Sequence, residues 1–125
     1  DITEKVVGNF SDQLTVSAGG TFTFDLSQGT VVLGGITTSV SSWNFTNVNS
    51  DNSKATTVTL INNSGIGYTY GDACNVNGAS IANGVKWVGG NPPPSTANDD
   101  ILTFSIVRDS TGVTRVYCSS SINII

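Results

Sequence analysis

The sequence predicts an all-β fold, an antiparallel β-sandwich of jelly-roll type formed as a single domain over residues 1–125, and three observations carry that prediction. Hydrophobic residues alternate with polar ones along the chain, the period of a half-buried strand, and no stretch shows helical periodicity with caps. Glycine and asparagine pairs punctuate these runs at about the 8–12-residue spacing of sandwiches and barrels. The length and the 38% hydrophobic content suit one packed core.

The elements follow in order. Residues 2–7 and 14–16 are weak strand candidates, and residues 1–19 also read as a lead-in or an exchanged strand. In residues 21–26, Phe22, Phe24 and Leu26 share one face, and the preceding Ala18-Gly19-Gly20 reads as a hairpin turn. Residues 31–33 form a short candidate strand. Trp43 and Phe45 share a face in residues 41–46, as do Val58 and Leu60 in residues 56–60. The clearest alternation runs over residues 100–108, through Leu102, Phe104 and Ile106. Residues 113–118 form a further strand, and residues 119–125 add a last one. Turn signals fall at Gln28-Gly29, Gly34-Gly35, Asn62-Asn63-Ser64-Gly65, Asn77-Gly78, Asn83-Gly84 and Ser110-Thr111-Gly112. Residues 89–99, with Pro92, Pro93 and Pro94 in succession, read as an exposed stiff loop. No internal repeat is apparent.

Composition excludes several classes of function. A net charge of −4 with five scattered basic residues argues against nucleic acid. No apolar run reaches the length of a membrane span. The numbering starts at Asp1 in a chain without Met, which reads either as a processed N-terminus or as a fragment of a longer protein. The absence of His removes the commonest general base and metal ligand, and no paired carboxylates suggest a glycosidase. No catalytic residue, cofactor or metal site is therefore expected. Asp99 with Asp100 is a minor Ca²⁺ candidate, without the spacing of a known calcium loop. The remaining carboxylates read as turn or solvated groups. Sequons at Asn9, Asn44 and Asn62 matter only in a host that glycosylates.

Cys74 and Cys118 match no metal or redox spacing. They are either two buried free thiols or a disulfide across a long loop. Phe22, Phe24, Phe45 and Phe104 are core by alternation. Trp87, Tyr68, Tyr70 and Tyr117 either complete that core or offer flat rings on which sugars stack, and Trp87, Tyr68 and Tyr70 with Asn91, Pro92, Pro93 and Pro94 are the candidate surface contact.

The succession TFTFDLSQGTVV, SSWNFTNV, KATTVTLI, GVKWVGGNPPPST and DDILTFSIVRD resembles a recurrent β-domain of marine bacteriophage virion proteins, of the cyanophage and pelagiphage type. The shared elements fall at residues 25–29, 45–47, 59–61, 87–92 and 100–104, and the likeness spans residues 20–118. The resemblance implies a virion structural or surface-binding module: a tail-fibre or receptor-binding domain, or a capsid decoration or head-fibre protein on the coat lattice. It implies no catalysis. Its expected partners are copies of itself, a trimer first, other virion proteins, and a host-surface glycan or protein. Its expected place is the virion surface or another extracellular setting. Cys74 and Cys118 depart from the family pattern, and a disulfide peculiar to this chain would lie there. A subunit of an extracellular filament, assembled by exchange of residues 1–7 or 119–125, is the reading from another class.

Overall fold

The structure is a computed structural model that describes residues 10–11, 20–64 and 67–125. The expected strands at residues 2–7 and 14–16, and Ala18, Gly19 and Gly65 of the expected turns, lie outside the described residues. Among the described residues there are ten strands: β1 (Phe10–Ser11), β2 (Thr21–Asp25), β3 (Val31–Gly34), β4 (Val40–Thr46), β5 (Lys54–Asn62), β6 (Tyr70–Val76), β7 (Ala79–Ser80), β8 (Val85–Trp87), β9 (Asp99–Arg108) and β10 (Thr114–Ile124). They form a six-stranded sheet, ordered β1-β3-β5-β9-β10-β8, and a four-stranded sheet, ordered β2-β4-β6-β7.

This architecture corrects the expected antiparallel jelly roll. From β2 to β6 the chain passes alternately from one sheet to the other, and each strand lies parallel to the one a full coil earlier. The result is a β-solenoid of stacked coils. In its last part β9 runs against β5 and β10 against β9, while β8 lies parallel to β10. The sheets are therefore mixed. Period-two alternation reports only that one face of a strand is buried, and a solenoid strand meets that condition as well as a sandwich strand does. The links that hold the turn signals Gln28-Gly29 and Gly34-Gly35, residues 26–30 and 35–39, carry the chain across to the opposite sheet.

The coils are unequal, which conceals them from a search for repeats. Phe10 lies beside Val31 and Thr21 beside Ser42, a step of 21 residues. Val31 lies beside Thr59 and Trp43 beside Cys74, steps of 28 and 31 residues. A fixed period is the sequence mark of a solenoid, and here there is none.

In-register stacking forms the core. Phe22, Trp43 and Cys74 make one inward ladder, and Phe24, Phe45 and Val76 the next. The Phe24 and Phe45 rings stack at 4.8 Å with planes 6° apart, as neighbouring positions of parallel strands allow. From the other sheet Phe104 packs against Trp43 at 5.0 Å and Phe45 at 5.2 Å. Phe22, Phe24, Trp43, Phe45 and Phe104 are fully buried. Each such side chain contributes about 1.5–3 kcal/mol of burial free energy.

The strand β6 escapes the alternation pattern because Asp72 interrupts it. This carboxylate accepts a hydrogen bond from the Trp87 indole at 3.2 Å and so ties β6 to β8, which lies against it from the other sheet. Gly84, just before β8, has φ +61° and approaches Asp72 so closely that a Cβ there would run into the Asp72 carbonyl. The Asn77-Gly78 turn is a true hairpin, with φ of 50° and 84°, and joins β6 to β7.

Candidate functional site

The same strands that build the core present two unlike ends. By parity one face of β5 runs from the exposed Lys54 through the buried Val58 and Leu60 to Asn62, and that of β9 from Asp100 through Leu102, Phe104 and Ile106 to the half-buried Arg108. Asn62 pairs in register with Asp100, and Lys54 with Arg108. One end of the two rows is thus an amide beside a carboxylate, and the other is two cations side by side.

The amide and carboxylate end is closed. Asn62 and Asp100 are fully buried. Asn62 Nδ2 donates to the Tyr70 hydroxyl at 2.8 Å, which in turn donates to Asp100 Oδ2 at 3.1 Å. Thr96 supplies its N–H to Oδ2 at 2.8 Å and its hydroxyl to Oδ1 at 2.6 Å, and the Asn123 N–H reaches Oδ1 at 2.9 Å. Asn62 Oδ1 accepts the N–H groups of Ile36 and Ser64, at 3.3 and 3.2 Å. Every polar group of this cluster has a protein partner, so it works as a pin that holds five segments together. Asp100 has its oxygens occupied by donors, and this argues against the Ca²⁺ candidate at Asp99 and Asp100. Burial of Asn62 also leaves its sequon inaccessible to a glycan.

Several residues expected at a surface contact belong to this pinned end. Tyr70 is buried within the pin, and Tyr68 packs partly buried against the core. Trp87 is buried, edge-on to Trp43 at 6.5 Å and hydrogen-bonded to Asp72. It completes the core and offers no face for a sugar. Asn91 and Pro94 are exposed and Pro92 and Pro93 half-buried, in the loop that leads to Thr96. The structure does not gather them with the aromatics into one platform. Residues 119–124 of the expected exchange segment continue β10 beside β9.

The cation end is open. A cleft of about 400 Å³ lies between the sheets, where the β4–β5 link, the β6–β7 hairpin and the β9–β10 turn converge. Val48, Val76, Ile81, Ile106 and Val113 give it apolar walls, and Lys54, Arg108 and Thr114 add charge and polarity to the lining. Arg108 is held by its edge: Nε donates to Asn52 Oδ1 at 2.9 Å and Nη1 to Thr114 Oγ1 at 3.4 Å. A Cβ on Gly112 would sit 3.3 Å from Nη2, so glycine there, with φ +87°, leaves that nitrogen uncrowded. The one ion pair among the described residues joins Arg115 to Asp109 at 2.7 Å, and it does not involve Lys54 or Arg108. Like charges directly opposite on neighbouring strands are destabilising, and no carboxylate among the lining residues offsets these two.

Three carboxylates are held below the ordinary value of 3.8. Asp109 is lowered by the Thr111 hydroxyl first, then by Arg115 and the Val113 N–H. Asp25 is lowered by the Ser27 hydroxyl and the Asn47 amide. For Asp100 the largest effect is burial, which raises the value, but the donors from Thr96, Asn123 and Tyr70 together outweigh it. Depressed folded values mean that the stabilisation is complete above the unfolded carboxylate value and is lost as pH falls through the folded ones. The melting temperature is accordingly expected to hold on acidification to about pH 5 and to fall increasingly steeply below about pH 4. A thermal-unfolding series in pH checks this, with Asp100→Ala expected to show a shallower acid limb.

Cys74 and Cys118 are both free and buried, on strands of opposite sheets. Of the two alternatives the sequence leaves open, the structure has the free thiols. Burial pushes each thiol up to about 12. Thiolate is the reactive species, so both are expected to resist iodoacetamide at neutral pH in the folded protein and to react fully in denaturant. Intact-mass measurement after each treatment checks this, and an unreduced mass lower by two hydrogens would establish a disulfide instead.

The cleft residues were legible in one respect only. Alternation that marks Leu102, Phe104 and Ile106 as inward extends by parity to Asp100 and Arg108, and that of Val58 and Leu60 extends to Lys54 and Asn62. Their pairing depends on the register of β5 with β9, which lies beyond any single strand's pattern. No family model matches the chain, and no curated protein and no solved structure matches it either. No helix among the described residues is long and apolar enough to cross a membrane.

Proposed function

We propose that this chain is a non-catalytic surface module of a virion, of the tail-fibre or receptor-binding kind, which recognises a host-surface glycan or protein as a homo-oligomer, a trimer first. The observation that carries the reading is the cleft with its unneutralised cation pair, set at one end of a rigid stack whose other end is pinned by buried hydrogen bonds. Recognition sites are commonly placed this way, on linking segments held by a stiff scaffold. Stacked parallel coils extend along one axis, a geometry suited to a fibre. The resemblance read from the sequence over residues 20–118 points to the same setting.

The test is to present the purified protein to an array of surface glycans and to whole marine bacterial cells, with its mass measured by light scattering. Binding by an oligomer, with the glycans recovered unshortened, is the expected result. A monomer that binds neither would overturn the reading, and cleavage of a bound glycan would overturn its non-catalytic part.

A further inference from the structure

Resting on the reading of the chain as a recognition module, we propose that the cleft is a binding site for a carboxylated sugar, with Lys54 and Arg108 receiving its carboxylate. The charge pattern comes first. Among the described residues the cleft gathers two cations and is lined by no carboxylate, on a chain whose net charge is −4. A cleft with one sign of charge and apolar walls concentrates its field on the opening and draws the opposite charge there.

The guanidinium geometry narrows the anion. Asn52 and Thr114 occupy Nε and one Nη1 proton of Arg108, leaving a second Nη1 proton and both Nη2 protons. These form the end-on fork that a planar carboxylate meets with two parallel hydrogen bonds. Gly112 leaves Nη2 accessible. Lys54, the direct cross-strand neighbour of Arg108, adds a second charge beside the fork. A bound carboxylate would thereby relieve the repulsion between the two cations, which folding alone does not reward.

The remaining surface narrows the carrier. A volume of about 400 Å³ lies within the range of small-ligand sites and is short of what an extended peptide needs. Its walls pair aliphatic side chains, which suit the apolar face of a pyranose ring, with the hydroxyl and amide groups of Asn49, Ser50 and Ser80. That mixture matches a sugar ring bearing hydroxyls and one carboxylate more closely than it matches a lipid or a nucleotide.

The test is an amide chemical-shift titration of the oligomer as purified, with N-acetylneuraminic acid and glucuronic acid as probes and glucose, acetate and inorganic sulfate as comparison arms. Either acidic sugar is expected to shift amides of residues 48–50, 80–82 and 112–114, and glucose is not. Arg108→Gln and Lys54→Gln are each expected to weaken this binding roughly tenfold, the loss of one charge-assisted contact. Lys86→Gln, on β8 away from the cleft, is expected to leave it unchanged. Lys54 is exposed, so its variant keeps the test usable if Arg108→Gln fails to fold. Equal shifts with acetate or sulfate alone would overturn the sugar assignment, as would binding that survives both substitutions. Glycan binding that maps elsewhere would overturn the cleft assignment and leave the recognition reading standing. Absence of binding to every glycan and cell would overturn both.

Discussion

Replacing Trp43 with alanine is expected to cost about 3–5 kcal/mol of folding stability, the largest loss from any single truncation in this fold. The indole is fully buried and touches aromatic rings from several strands: Phe22 at 6.0 Å, Phe24 at 6.1 Å, Tyr70 at 5.9 Å and Phe104 at 5.0 Å. Its Nε1 also donates to the Gly71 carbonyl at 2.8 Å, which fastens the irregular start of β6 to β4. Truncation would therefore leave a cavity between the sheets and an unpaired carbonyl at once. Chemical denaturation of the variant measures the loss. A change below about 1 kcal/mol would show that the side chain is not at the junction of the two sheets.

Asp100→Ala is expected to be the second most costly substitution, at about 3 kcal/mol. The carboxylate takes hydrogen bonds from Thr96, Tyr70 and Asn123, and buried donors left without an acceptor are destabilising by about 1–3 kcal/mol each before local relaxation. Asp100→Asn is expected to recover only part of this, because an amide keeps one acceptor and turns two protons toward existing donors. The effect should be local to one end of the stack. Hydrogen exchange is expected to rise around residues 95–100 and 120–124 while β2 and β4 stay protected. Uniformly faster exchange across both sheets would contradict a pin and point to general unfolding.

Reading the sequence alone reaches the core and stops short of the topology. Phe22, Phe24, Phe45 and Phe104 declare themselves by alternation, and all four are fully buried. Strand direction is another matter, because Phe24 beside Phe45 in parallel gives the same local pattern that an antiparallel neighbour would give. Parallel order here comes from links that cross between sheets, and their lengths vary so much that no repeat betrays them. β6 is hidden from a sequence reading because Asp72, which holds the Trp87 indole of a distant strand, breaks its alternation.

The site was legible only in fragments. Asp100 reads in sequence as half of a minor Ca²⁺ candidate after a glycine and proline loop, and Asn62 as a sequon, yet in-register pairing buries them together. Lys54 and Arg108 read as scattered surface charges, separated by 54 positions, until the same register brings them side by side. The loop with Pro92, Pro93 and Pro94 attracted a surface role by its composition, while the open cleft formed at the opposite end of the strands. Physical meaning at both ends comes from one antiparallel pairing, β5 with β9.

The parallel coil order and the β5–β9 register together place the cations at the open end, and nuclear Overhauser contacts in the labelled protein test both directly. The expected result is a parallel pattern of backbone contacts linking Thr23 to Asn44 and Asn44 to Asn75, with an antiparallel pattern linking Val58 to Phe104 and Lys54 to Arg108. An antiparallel pattern between β2 and β4, or a β5–β9 register shifted by one residue, would contradict the account. A one-residue shift would turn Lys54 or Arg108 to the other face of the sheet and abolish the cleft's charge pair.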